Sequence, residues 1–287
     1  MPKYLIIGSH GTLGSEFLSL LPKQETLAVD RDELDITDSI QLQNFFASQQ
    51  PQIVINCAAY TNVDGAETDF TAAKLLNANV LNELSKQCDQ VSATLIHFST
   101  GMIFAGTDQN GSNEDSAPAP VNKYGESKLA GEQVIQQACR DYYIIRTEWL
   151  YGKPLTETAK KSFVELMIDL GKSGKVKGVI DEVGKPTWAR DLAKAALKLI
   201  DSGQPKGIYH LVNEGQASRK DWAQEIFAIK GMAVELESVS GSDFPRPAKR
   251  PQFELLNNTK LPKMRAWQDA LREYLTGFPP SREWHKA

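Results

Sequence analysis

The chain has 287 residues, 41% hydrophobic, 24% charged and 8% aromatic, with 20 Gly and 14 Pro. These are the proportions of an ordinary folded protein and exclude a disordered, collagen-like or coiled-coil chain. Thirty-two basic against 36 acidic side chains give a net charge of −4, a balance too even for a dedicated binder of nucleic acid or acidic membranes.

The N-terminal apolar run, Tyr4 to Ile7, is far too short for a secretory core or a membrane span. Three widely spaced cysteines (Cys57, Cys88, Cys139) make no disulfide framework, so reduced thiols in a cytoplasm are expected. The four histidines (His10, His97, His210, His285) form no metal-ligand pattern with them, and no metal is expected.

The first 150 residues alternate short apolar strands with amphipathic stretches. Strands are predicted at Tyr4–Ile7, Leu27–Val29, Ile53–Asn56, Leu95–Phe98 and Tyr143–Ile145, with helices at Leu13–Leu21, Ser39–Gln49 and Ala72–Gln87 between them. That rhythm predicts a doubly wound parallel sheet, an α/β fold that binds ligands outside the carboxyl ends of its strands. Beyond Gly152 the alternation weakens. Helices are predicted at Ser162–Leu170, Trp188–Ile200 and Arg219–Ile229, the last capped by Ser218, and a strand at Ile208–Val212. We expect a dinucleotide-binding domain over 1–150 and a smaller C-terminal α/β substrate domain over 151–287, with segment 176–203 free to pack back on the first.

Gly8-Ser9-His10-Gly11-Thr12-Leu13-Gly14 follows the first strand and opens the first helix. Gly8 permits a tight turn, Gly11 lets backbone approach a pyrophosphate, and Gly14 allows close helix–strand packing. The unpaired N–H groups at the helix start would face the phosphates. The second strand ends in Asp30-Arg31, 16 residues after Gly14. A carboxylate there favours the ribose hydroxyls of NAD, an arginine the 2′-phosphate of NADP, so NADH and NADPH both stay open. In Leu34-Asp35-Ile36-Thr37-Asp38, Asp35 can reach an adenine amino group or serve as an ordinary loop cap.

Tyr124 and Lys128 are four residues apart and would share one helix face. A neighbouring ammonium moves a phenol toward useful acidity, and the same lysine can grip a nicotinamide ribose. Such a pair arises readily by chance, so its setting decides. Ser99-Thr100 ends the fourth predicted strand, 24 residues before Tyr124, where a hydroxyl can bond a carbonyl that becomes an alkoxide. Hydroxyl, tyrosine and lysine against one nucleotide crevice make a ketone-reducing site.

These residues resemble the extended short-chain dehydrogenase/reductase family, and within it the dTDP-4-dehydrorhamnose reductases. The resemblance runs through the glycine turn, Leu34–Asp38, Asn56–Asp64, Glu67, Ser99-Thr100 and Pro120–Glu132. It continues through Arg146–Gly152, Gly184–Ala193, Ile208–Leu211 and Arg246–Pro251. It implies cofactor contacts from Gly11, Thr12, Leu13, Asp30, Asp35 and Ile36, and from Ala59, Tyr60 and Thr61 after the third strand. It implies Tyr124 as proton donor, Lys128 as its electrostatic partner, Thr100 steadying the alkoxide, Trp149 packing against the sugar, and Arg246–Arg250 near the substrate diphosphate or in a solvated loop. A nucleotide-sugar substrate, NADPH or NADH, and a homodimer come with the resemblance.

The family usually continues Ser-Thr with Asp-Tyr, whereas this chain has Gly101-Met102. A carboxylate and a phenol beside the sugar are thereby lost, and Gly101 becomes part of the substrate wall. Two rival readings remain: a non-catalytic regulatory subunit on the same fold, and a sugar-nucleotide epimerase or dehydratase.

Overall fold

The computed structural model describes residues 1–155 and 161–277; His285 and the last residues of the expected second domain lie outside them. The N-terminal half reads β1 (Tyr4–Ile7), α1 (Thr12–Leu20), β2 (Thr26–Val29), α2 (Ser39–Gln49), β3 (Ile53–Asn56), then two short helices, α3 (Gly65–Thr68) and α4 (Phe70–Lys74). A π-helical turn over Leu75–Asn79 leads into α5 (Val80–Gln90), followed by β4 (Thr94–Thr100), α6 (Lys123–Ala138) and β5 (Tyr142–Thr147). The remainder holds β6 (Leu150–Tyr151), α7 (Phe163–Gly171), β7 (Lys175–Val179), β8 (Val183–Gly184), β9 (Thr187–Trp188), α8 (Ala189–Asp201), β10 (Gly207–His210), β11 (Ala217–Ser218), α9 (Arg219–Lys230), β12 (Glu235–Val239), β13 (Phe253–Glu254) and α10 (Trp267–Thr276).

Six strands form one parallel sheet in the order β10-β5-β4-β3-β1-β2. Both of its faces are covered, which is why its strands read as unbroken apolar runs rather than alternating ones. Tyr4, Ile6, Ile55, Ile96 and Tyr143 point to one face, into a core shared with α1 and α8. Leu5, Ile7, Val54, Leu95 and Ile144 point to the other, against α2, α5 and α6. The expected doubly wound α/β fold is therefore present, and the strand order reverses between β1 and β3, where such sheets open a ligand crevice.

After residue 150 the chain is expected mainly in a second unit, with 176–203 free to pack back. It returns to the large sheet further than that segment. The apolar stripe of α8 (Ala189, Leu192, Ala193, Ala196, Leu199) joins the first core, and β10 pairs with β5 as the sixth strand. What remains packs around an aromatic core that includes Tyr151, Trp188, Trp222 and Trp267. Three small sheets (β11-β8-β13, β12-β7 and β6-β9) complete it. Two of its helices start on reciprocal capping boxes: Ser218 with Asp221, as expected, and Ser162 with Glu165.

Candidate active site

The glycine turn sits at the crevice. Gly8 has φ +76°, and a Cβ there would lie 2.8 Å from the backbone nitrogen of Ala58 just beyond β3. A Cβ on Gly14 would lie 2.1 Å from the Gly8 carbonyl oxygen. Both glycines are demanded by close backbone approach. Gly11 differs, because its nearest neighbour would be 3.5 Å away and the residue faces solvent. No side chain caps α1 at Gly11, so its first N–H groups are left for an outside acceptor. An exposed, uncapped helix start over a cradle without Cβ atoms fits a dinucleotide pyrophosphate. Thr12 opens the helix half-buried, its methyl packed against Gly152. The Leu13 side chain points into the core, leaving its backbone alone on the crevice side.

Asp30 is more occupied than expected. Its Oδ2 accepts from Ser9 Oγ at 3.1 Å and from the His10 N–H at 2.7 Å, so this carboxylate also holds the glycine turn in shape. Arg31 is 86% exposed on its side chain, with Nε 3.7 Å from Asp35 Oδ2. Asp35 accepts from the backbone and hydroxyl of Thr37 at 2.9 and 2.7 Å, and those bonds hold its carboxyl below the usual range. It builds the loop ahead of α2. The Ile36 side chain is buried in the core, which leaves its backbone for the expected contact at the adenine end.

Ala59 and Tyr60 are half-buried after β3, and Thr61 is exposed beside them. They are fixed by Asn77, a residue sequence reasoning missed. Its Oδ1 accepts from the Tyr60 N–H at 2.8 Å, and its Nδ2 donates to the Tyr60 carbonyl at 3.0 Å and to Ser127 Oγ at 2.9 Å. Asn77 stands in the π-helical turn that interrupts the continuous helix predicted over Ala72–Gln87. A Cβ on Gly131 would sit 2.1 Å from the Asn77 carbonyl oxygen, so α6 presses close against that turn. π-turns of this kind recur at functional sites.

Helix α6 brings Tyr124 and Lys128 to the sheet. Asn122 caps it through the Gly125 N–H at 2.8 Å, and Glu67 accepts from the Lys123 N–H at 2.8 Å. A Cβ on Gly125 would lie 2.2 Å from the Met102 carbonyl oxygen, so only glycine lets the helix start abut the turn after β4. That contact brings Tyr124 beside Thr100, whose hydroxyl tempers the upward shift of its phenol. Thr100 Oγ1 also accepts from the Met102 N–H at 3.2 Å. Met102 is buried, its sulfur 3.9 Å from Nδ2 of Asn122, the cap of α6.

Lys128 corrects the expected electrostatics. Its Nζ donates to the Phe98 carbonyl at 2.6 Å and lies 3.3 Å from His97 Nε2. The phenol of Tyr124 is shifted upward by burial and by the charge of Glu254, against the Thr100 hydrogen bond, and not downward by the lysine. Burial lowers Lys128 to about 8. His97 is in turn buried, held neutral by desolvation and the lysine charge, with Nδ1 3.2 Å from Asn56 Nδ2.

On the far wall, Trp149 adopts φ +43° and lies over Gly184, where a Cβ would come within 2.3 Å of its ring. The Arg219 guanidinium stacks 3.5 Å from its centroid, Trp222 stacks at 5.7 Å, and its Nε1 donates to Glu254 Oε2 at 3.0 Å. These contacts hold the half-buried Trp149 ring in place. Arg246 pairs with Glu182, and Arg250 with Asp64 at 3.0 Å, tying the basic loop to both units. Lys249 is the third cation of that loop, and all three border a cavity of ≈ 520 Å³.

The RmlD substrate binding domain model matches residues 2–279. The chain belongs to this family. It is 36% identical over 98% of its length to a probable dTDP-4,6-dihydroxy-2-methyloxan-3-one 4-ketoreductase of Streptomyces antibioticus, covering 98% of that protein. It is 39% identical over 86% of its length to the dTDP-4-dehydrorhamnose reductase of Mycolicibacterium smegmatis, covering 76% of it. Among solved structures, the dTDP-4-dehydrorhamnose reductase of Bacillus anthracis in complex with NADP superposes with TM-score 0.91 at 34% identity, over 97% of this chain and 100% of that one. The resemblance read from the sequence holds across the whole family match.

Proposed function

We propose that this RmlD-family chain reduces the C4 ketone of a nucleotide-linked 6-deoxy-4-ketosugar, dTDP-4-dehydrorhamnose, to dTDP-L-rhamnose, using NADPH or NADH. The observation that carries this reading is the adjacency of Thr100 and Tyr124 at the carboxyl end of β4, in the sheet whose strand β1 leads into the uncapped start of α1. Reduced nicotinamide, when bound, supplies the hydride.

The protein's residues do the rest. Burial holds the Tyr124 phenol protonated, so its O–H is the proton source for the oxygen on C4. Thr100 Oγ1 is fixed by the Met102 N–H and orients that phenol toward the carbonyl. Lys128, anchored on Phe98, keeps a cation on the floor of the site below about pH 8. Arg219 makes no side-chain hydrogen bond among the described residues, and its guanidinium fork beside Arg246 and Arg250 suits the substrate diphosphate. Exposed Arg31 favours NADPH over NADH. The adjacent hydroxyls of Thr100 and Tyr124 weigh against a non-catalytic role.

Cysteines that are all unpaired support a cytoplasmic setting, and the homodimer carried by the resemblance is tested by sedimentation. The deciding assay mixes purified protein, either reduced cofactor and dTDP-4-dehydrorhamnose, with product identified by NMR. Loss of nicotinamide absorbance with formation of dTDP-L-rhamnose supports the reading. Cofactor returned unchanged with an epimerised or dehydrated sugar refutes it.

A further inference from the structure

Gly101 occupies the position where the family usually carries a carboxylate, and the space its missing side chain leaves is filled from elsewhere in the chain. A Cβ on Gly101 would lie 2.9 Å from Glu254 Cγ and 3.3 Å from Glu254 Oε1. Glu254 comes from β13, in the second half of the sequence. It is 5% exposed, and Trp149 Nε1 grips its Oε2 at 3.0 Å. Oε1 has no hydrogen-bond partner among the described residues. That oxygen is not among the fully buried unpaired atoms, so it keeps access to the crevice and can accept from a ligand. Gly101 directly follows Thr100, so the Glu254 carboxyl stands against the turn after β4 that carries Thr100 and Met102. Arg219, Arg250, Glu182, Glu148 and Trp149 surround it electrostatically.

We propose that Glu254 replaces the missing carboxylate at position 101 and accepts a hydrogen bond from a ring hydroxyl of the hexose, making it a specificity-determining residue of this enzyme. The proposal rests on the reductase reading for its substrate class. Burial raises Glu254 to about 7, so above that pH it is a carboxylate that selects sugars presenting a hydroxyl donor there over deoxy analogues, which leave its free oxygen without a partner.

The test is a cycle of Glu254→Gln, Glu254→Ala, Gly101→Asp and the double variant Gly101→Asp/Glu254→Ala. KM for dTDP-4-dehydrorhamnose is read alongside the calorimetric affinities for dTDP and dTDP-L-rhamnose. We expect both Glu254 variants to raise KM about tenfold or more and to weaken dTDP-L-rhamnose similarly, with dTDP itself unchanged within about twofold. Gly101→Asp alone loses affinity by collision with Glu254, and the double variant recovers it. Folded Glu254 variants with wild-type KM and sugar affinity overturn the proposal. If those variants fail to fold, the double variant decides, and failure to restore both melting temperature and sugar affinity overturns it. Wild-type protein that reduces no ketosugar defeats the reductase reading separately. The dTDP-L-rhamnose affinities still judge Glu254 in that case, and equal values for wild type and Glu254→Gln count against it.

Discussion

Asn77 holds Tyr60 by both ends of its peptide unit, accepting from its N–H at 2.8 Å and donating to its carbonyl at 3.0 Å. One fully buried amide thus fixes the cofactor-side loop after β3, and the same amide reaches Ser127 on α6. Asn77→Ala leaves buried backbone groups unpaired, so urea unfolding should show a loss of about 2–4 kcal/mol. NADPH affinity should fall as well, measured by fluorescence titration on the fraction still folded. Unchanged stability would mean water replaces the amide at no cost.

The three glycines of the first turn separate folding from binding. Gly14→Ala drives a methyl into the Gly8 carbonyl and should prevent folding or cost about 3 kcal/mol or more. Gly11→Ala meets only ordinary contact, so its melting temperature should stay close to wild type. Its cofactor affinity should nonetheless drop about tenfold or more, since the new methyl stands where the pyrophosphate approaches. Thermal melts and cofactor titrations of the two variants check this contrast.

Lys128 gives stability a distinctive pH dependence. Burial lowers its pKa from 10.5 to about 8. Between those values the unfolded chain binds more protons at this site than the folded one, so this contribution to stability rises with pH across that window and is flat outside it. Lys128→Met should abolish that rise, which is on the order of 1–2 kcal/mol between about pH 7.5 and 9.5. The same variant should lose turnover about 10²–10⁴-fold. Parallel urea titrations of both proteins at the two pH values measure the first effect.

Arg31 is the exposed cation beside the Asp30 carboxylate. Arg31→Ala should weaken NADPH by about 1–2 kcal/mol and leave NADH nearly unchanged, as loss of a charge-assisted phosphate contact requires. Equal losses for the two cofactors would place its role elsewhere.

Much of the fold was legible because doubly covered strands are short unbroken apolar runs, as Tyr4–Ile7 and Ile53–Asn56 are. Ser218 announced its helix by cap chemistry. The return of β10 to the large sheet was not legible, since Gly207–His210 carries no mark of its partner β5. Thr100 and Tyr124 could be paired from strand end and helix start. The orientation of Lys128 could not, because it depends on Phe98 and His97, which supply an acceptor on the strand behind it. Asn77, Arg219 and Glu254 were invisible for a different reason. Their roles arise from contacts between distant parts of the chain, such as Asn77 with Tyr60 and Glu254 with Trp149.

In the proposed reaction the Tyr124 phenol supplies the proton, and the roles of Thr100 and Lys128 depend on that step. The most direct measurement is single-turnover oxidation of bound NADPH by dTDP-4-dehydrorhamnose in wild type and Tyr124→Phe, with cofactor affinity determined on the same samples. Cofactor affinity should be preserved within about twofold and turnover reduced about 10²–10⁴-fold. A Tyr124→Phe protein that oxidises NADPH at the wild-type rate would contradict this.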